Sequence, residues 1–224
     1  MKEKWQSIRG FFRKNSRKLI PLLLLAAILL PIVVDNSYVL GICTKILLYM
    51  MLASSVNVIN GYSGQFAIGH AGFLCVGAYT AAILMARANV PFFLAMLGAG
   101  VMTALFGMLV SFPIGKLSGI YLGFVTLGFS EIVRIICLNW TPVTGGPMGI
   151  KAIPGPKIFG FSLQSSRGYY YIIFAVLVIM VFCTSRILKS RTGRAWISIR
   201  ENGAAAASIG TNTAQYKTMN IMYA

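Results

Sequence analysis

Residues 61–84 read GYSGQFAIGHAGFLCVGAYTAAIL, and the fold turns on how that stretch is taken. It opens with G-x-S-G and reaches the single histidine of the chain, His70, seven residues after Ser63. Taken as chemistry, the pattern is an intramembrane serine nucleophile and its base, which requires the imidazole within about 3 Å of the hydroxyl. On a continuous helix seven residues rise roughly 10.5 Å, so the two side chains cannot bond unless the helix is broken between them. Taken as packing, the stretch concentrates small residues: Gly61, Gly64, Gly69, Gly72 and Gly77 with Ala67, Ala71, Ala78, Ala81 and Ala82. Small residues at helical spacing let transmembrane helices approach closely. They also permit a broken helix whose freed N–H groups face a carboxylate. The packing reading fits better. It leaves His70 as either a hydrogen-bonded packing residue or part of a solute path, and Ser63 and Gln65 share that choice. The candidate path residues are therefore Gly61, Ser63, Gly64, Gln65 and His70.

Composition sets the surroundings. Of 224 residues 57% are hydrophobic and only 11% charged, with a mean hydropathy of +0.77, outside the range of soluble domains. Twenty Lys and Arg stand against four acids, Glu3, Asp35, Glu131 and Glu201, a formal charge of +16. The basic residues cluster beside apolar runs, where they orient the chain and meet anionic lipid. No basic face interleaved with aromatics appears, so nucleic acid is not an expected partner. Cys43, Cys75, Cys137 and Cys183 lie far apart in apolar segments without C-x-x-C spacing. They read as small buried hydrophobes, with neither a disulfide framework nor a metal site.

A bilayer core takes roughly 20 apolar residues per helix. Runs at 19–34, 38–59, 66–86, 91–114, 118–139 and 169–188 give six candidate spans, hence an all-α polytopic bundle. The first is short and holds Pro31, yet it lacks a small-residue cleavage site and reads as a retained helix. A further run opens at YKTMNIMYA, 216–224, and stops before it can cross, which reads as a C-terminally truncated chain. With residues 1–18 as a basic cytoplasmic segment, fourteen Lys and Arg fall on the inner side. Four, Arg87, Lys151, Lys157 and Arg167, fall outside, and Lys45 and Arg134 lie within spans. That asymmetry satisfies the positive-inside rule and predicts a cytoplasmic N-terminus.

Two connecting segments follow. Residues 140–168, outside, are rich in Pro and Gly and read either as a docking or gating surface or as a solvated loop with a short helix. Residues 189–215, inside, suit a short helix over 194–200 and 204–209, bounded by Gly193 and Gly210, with alanines that favour helix. Its small face admits a partner's groove while Arg194, Arg200 and Glu201 supply polar contacts at the rim. Inside the fifth run Glu131 and Arg134 stand three apart; each lone charge there costs roughly 2.5–3.5 kcal/mol. Either they pair, or the span ends early and Arg134 snorkels outward.

The stretch 61–84 resembles the G-Y-x-G-x-x-x-x-G-H-A-x-F-x-x-x-G-A-Y-x-A-x-x-L signature of branched-chain amino-acid ABC transporter permeases of the LivM type. YLGFVTLGFSEIVR with TGGPMGI resembles the next block, and SRTGRAWISIRENGAAAASIGTNTAQYK resembles the family's cytoplasmic loop. The resemblance implies a transport subunit in the cell membrane, without catalytic residues, metal or cofactor of its own. It implies as partners two ATP-binding subunits, a second related permease and an extracytoplasmic substrate-binding protein. It makes the inner loop similar to the E-A-A-x-x-x-G coupling helix of importers: Ala204, Ala205, Ala206 and Gly210 keep that register, and Ala204 stands where the motif has its glutamate. The sequence holds no G-x-x-x-x-G-K-[ST], so no P-loop cradles ATP here. The alternatives are a related permease for urea or short amides, an intramembrane serine protease using Ser63, and an ATP-independent transporter.

Overall fold

The computed structural model describes residues 24–34, 36–114, 119–158, 161–162 and 165–223. The basic segment 1–18 and the first residues of the run at 19–34 lie outside the described residues. Helix α1 runs Leu24–Val33. It is followed by α2 (Ser37–Val56), which opens into a π-helix, Asn57–Tyr62, and by α3 (His70–Ala86), α4 (Phe92–Ile114) and α5 (Ile120–Asn139). A one-turn α6 (Thr141–Thr144), a 3-10 turn at Gly146–Met148 and a two-residue hairpin pairing Lys157–Ile158 with Phe161–Ser162 lead to α7 (Ser166–Lys189). Then come α8 (Arg191–Glu201), α9 (Gly203–Ser208) and α10 (Thr213–Tyr223).

The protein is an all-α polytopic bundle, the small hairpin apart. Local chemistry starts several helices: side-chain oxygens of Asn36, Ser165, Ser190 and Asn202 accept from the orphan N–H groups at the beginnings of α2, α7, α8 and α9. Among the described residues four helices are long and apolar enough to cross a membrane, Ser37–Tyr62, Phe92–Ser111, Ile120–Asn139 and Ser166–Lys189. Their outer faces carry large apolar side chains such as Leu97, Leu109, Phe124 and Ile179, which suits a hydrocarbon solvent. Inside, α3 packs on α4 and α5, α2 on α7, and α10 on α4. The Tyr170 and Tyr171 hydroxyls donate to the carbonyls of Ala27 and Ile28 at 2.8 and 3.1 Å, fastening α7 to α1.

Three expectations need correcting. The run at 66–86 is not one helix: α3 starts only at His70, because the backbone leaves helical geometry at Gly64, whose φ is +66°. At 17 residues α3 rises about 25 Å, and the non-helical residues before it extend the same run. Gly193 does not bound the inner helix. It lies in the first turn of α8, which starts after its cap Ser190, and it lets that turn pack on Ile187 and Leu188. The irregular segment expected over 140–168 ends earlier than 168, since Ser165 caps α7 and the helix begins at Ser166.

The cysteines are not all apart in space either. Cys75 Sγ on α3 lies 3.4 Å from Cys137 Sγ on α5, both thiols free. Mild oxidation of the intact protein is expected to join Cys75 to Cys137 within one chain and to leave Cys43 and Cys183 reduced, as read by peptide mass spectrometry. A different pairing would contradict the α3–α5 packing.

Candidate functional site

Between the π-helix and α3 the backbone leaves helical geometry over residues 63–69, a break in the helical run. In a membrane protein, non-helical backbone survives only where neighbouring groups satisfy its N–H and C=O groups. Here the partners come from the break itself and from three other helices. Gln65 N–H reaches back to the Ile59 carbonyl at 3.2 Å, and Ala67 N–H donates to Asn60 Oδ1 at 3.1 Å. From α5, Thr126 Oγ1 accepts from Ile68 N–H at 3.0 Å. Ser130 Oγ accepts from Gly72 N–H at 3.2 Å while donating to the Gly69 carbonyl at 3.0 Å. On the other side, Asn220 Nδ2 of α10 donates to the Val58 carbonyl at 3.4 Å, and Arg200 Nη1 of α8 donates to the Gly61 carbonyl at 2.9 Å. Two of the N–H groups freed by the break are thus held by hydroxyls and are not offered to a carboxylate.

The hydroxyls reach because α3 and α5 touch closely. A Cβ on Gly69 would sit 2.7 Å from the Thr126 carbonyl oxygen, and one on Gly72 would sit 2.8 Å from Ser130 Cα. Real Cβ atoms do not approach backbone so closely, so glycine is what permits this seam.

Two cavities flank the break. The larger, 410 Å³, is lined chiefly by apolar side chains of α2, α3, α4, α7 and α10, among them Met51, Ile59, Phe73, Met180 and Ile221. His70 lines it, and both ring nitrogens are buried without a hydrogen-bond partner among the described residues. The smaller, 280 Å³, lies between the break and α8–α10 and is lined by Ser63, Gly64, Gln65, Arg200, Thr213 and Lys217 among others. In it Gln65 Nε2 donates to Ser63 Oγ at 2.7 Å. Ser63 and His70 therefore border different cavities, and the serine is bonded to an amide. The helix is broken between them, yet no nucleophile–base pair forms.

The remaining candidates separate into two places. Glu131 and Arg134 form a two-pronged pair on α5, at 2.9 and 2.5 Å, with both side chains half-exposed on its outer face. The other group lies on α8 and α9. Arg200 also pairs with Glu201 at 2.5 Å, and Arg194 Nη1 donates to the Lys189 carbonyl at 2.9 Å. In α9 Ala204 and Ala205 face outward and Ala206 is buried. The turn closes at Gly210, φ +87°, whose N–H bonds the Ala207 carbonyl at 3.0 Å. Beside it Ile209 is 79% exposed.

Sequence reasoning missed Asn60, Thr126, Ser130, Asn220 and Ile209. The signal available was modest: Thr126 and Ser130 fall four apart in an apolar run, on one helix face, and Asn220 interrupts another.

A bundle of apolar helices in which the irregular segment between the π-helix and α3 is satisfied from three other helices and borders two cavities belongs to the class of polytopic membrane proteins. Residues 38–223 match the family described as the permease component of branched-chain amino acid transport systems, and the chain belongs to that family. It is 36% identical to the high-affinity branched-chain amino acid transport system permease protein LivM of Escherichia coli K12, over 94% of this chain and 55% of that protein. Identity to the LivM protein of Salmonella typhimurium is also 36%, over 87% and 51%. It is 29% to a probable LivM permease of Methanocaldococcus jannaschii, over 57% and 37%. The chain spans about half the length of the first two of these curated relatives. No solved structure matches it significantly.

Proposed function

We propose that the chain is the membrane-spanning permease part of an ATP-driven importer of branched-chain amino acids, levered from the cytosol through α8 and α9. Its partners are two ATP-binding subunits, a second related permease and an extracytoplasmic binding protein. The observation that carries the reading is the direct link between α8 and the break. Arg200 donates to the Gly61 carbonyl, and its aliphatic stem fills the space a Cβ on Gly64 would need, 2.6 Å from Cγ. A push on α8 and α9 is thereby delivered to the segment that ends at His70, on the wall of the larger cavity.

Orientation in this reading puts the N-terminus and α8–α9 in the cytoplasm and the break at the cytoplasmic end of the bundle. Contacts at the two ends support the pairing of segments: Arg87 donates to the carbonyls of Pro142 and Val143 at 2.6 and 2.8 Å at one end, and Arg200 meets Gly61 at the other. The charge asymmetry of the sequence supplies the direction. For the substrate, the relatives' names are joined by the apolar wall of the larger cavity, which matches a branched aliphatic side chain.

The hook formed by α9 and Ile209 is the docking element. Ile209→Asp is expected to weaken association with the ATP-binding subunits roughly ten- to hundredfold, since an exposed apolar anchor buried in a groove is worth about 1.5–3 kcal/mol. Co-purification with the ATPase checks this. Retained association together with normal ATP-dependent leucine uptake would overturn docking at this hook. Gly210 is a poorer probe, because a side chain at its positive φ strains the backbone as well as the interface.

A further inference from the structure

The smaller cavity has no part in the reading above except as the space beside Arg200. We propose that it is an oxyanion site, taking a carboxylate or phosphate group.

The walls select for negative charge. Two basic residues, Arg200 and Lys217, line the cavity, and among the described residues no carboxylate does. Of the acids among the described residues, Glu131 is held by Arg134 on α5, and Glu201 pairs with Arg200 itself, so Lys217 is the lining cation left without a counter-charge. Lys217 is half-buried and has no carboxylate among the described residues to pair with. An ammonium drawn out of water without a counter-charge is costly, and an anion in the cavity relieves that cost. The same end of the bundle also carries Lys189, Arg191 and Arg194, so the local field draws anions towards it.

The floor is built and buried. Ser63 is 2% exposed and Gln65 5%. With the amide as placed, one N–H of Gln65 goes to Ser63 Oγ, which leaves the second N–H and the serine O–H as donors. Turning the amide over would let the serine donate to Oε1 and free both N–H groups. Either orientation leaves two unspent donors beside the Lys217 ammonium, which is the arrangement a small oxyanion satisfies with charge-assisted hydrogen bonds. At 280 Å³ the space lies at the small end of ligand sites. An occupant would touch the break through Ser63 and Gln65 and the following segment through Lys217, and so would oppose relative movement of the two.

The anion can come from the aqueous phase or from a lipid headgroup, and the experiment separates these. The full-length protein is placed in phosphatidylcholine nanodiscs and its lysines are acylated, with Lys189, exposed and outside the cavity, as internal reference. Inorganic phosphate is expected to slow acylation of Lys217 about fivefold relative to Lys189, as mass action gives at a few times Kd, while chloride at equal ionic strength does not. If slowing appears only in phosphatidylglycerol discs without added phosphate, the lipid headgroup is the source. Ser63→Ala and Gln65→Leu, tested separately, should each remove most of the protection while leaving the rate without anion unchanged. Equal rates under all conditions, or protection that survives both substitutions, would overturn the proposal.

Discussion

Gly72→Val is expected to reduce leucine uptake by the intact protein about a hundredfold, because it separates α3 from α5. The new Cβ would fall 2.8 Å from Ser130 Cα, a backbone atom that cannot step aside. Overpacking of this kind costs about 1–3 kcal/mol. The displaced helix also loses the bonds Ser130 Oγ makes to Gly72 N–H and the Gly69 carbonyl, each about 0.6–1.7 kcal/mol in a bilayer. Ser130→Ala removes the bonds without the clash and is expected to cost about tenfold on the same estimate. The seam itself can be read out through the Cys75–Cys137 pair, whose oxidative coupling should fall in Gly72→Val. Normal uptake with undiminished coupling in that variant would show that the helices do not touch here.

Arg200→Met should uncouple the machine. Methionine keeps part of the apolar stem against Gly64 but loses the guanidinium that holds the Gly61 carbonyl. A hydrogen bond to a charged group is worth about 1.5–3 kcal/mol, so uptake is expected to fall tenfold or more. ATPase association and ATP hydrolysis should persist, because the hook at α9 and Ile209 is untouched. Arg200→Lys, with a cation but no fork, should recover part of the loss. Equal loss of hydrolysis and uptake would instead place Arg200 in the docking surface. Full retention of both would remove it from the linkage.

The sequence made the membrane architecture legible because hydrocarbon imposes a one-dimensional rule: a span must be apolar for roughly 20 residues, and the runs at 38–59, 91–114, 118–139 and 169–188 all became long helices. The small-residue stretch 61–82 was legible as a place of close approach for the same reason, since Gly69 and Gly72 announce contact without naming the partner. The partners were not legible. Thr126 and Ser130 meet the break from 58 residues away, and Asn220 from 162. No local periodicity carries such distances. Gly193 misled because glycine commonly ends helices; here it serves a tight α7–α8 corner, and the helix start is set by Ser190 three residues earlier.

An ATP-hydrolysing partner can grip α9 only if α9 faces the cytosol. Ser208, exposed at the end of α9, can be replaced by cysteine in a background with the four native cysteines changed to alanine, and intact cells treated with a membrane-impermeant maleimide. The position should stay unlabelled until the membrane is permeabilised, then react readily. Full labelling in intact cells would put the hook outside and end the proposal of a permease driven from within.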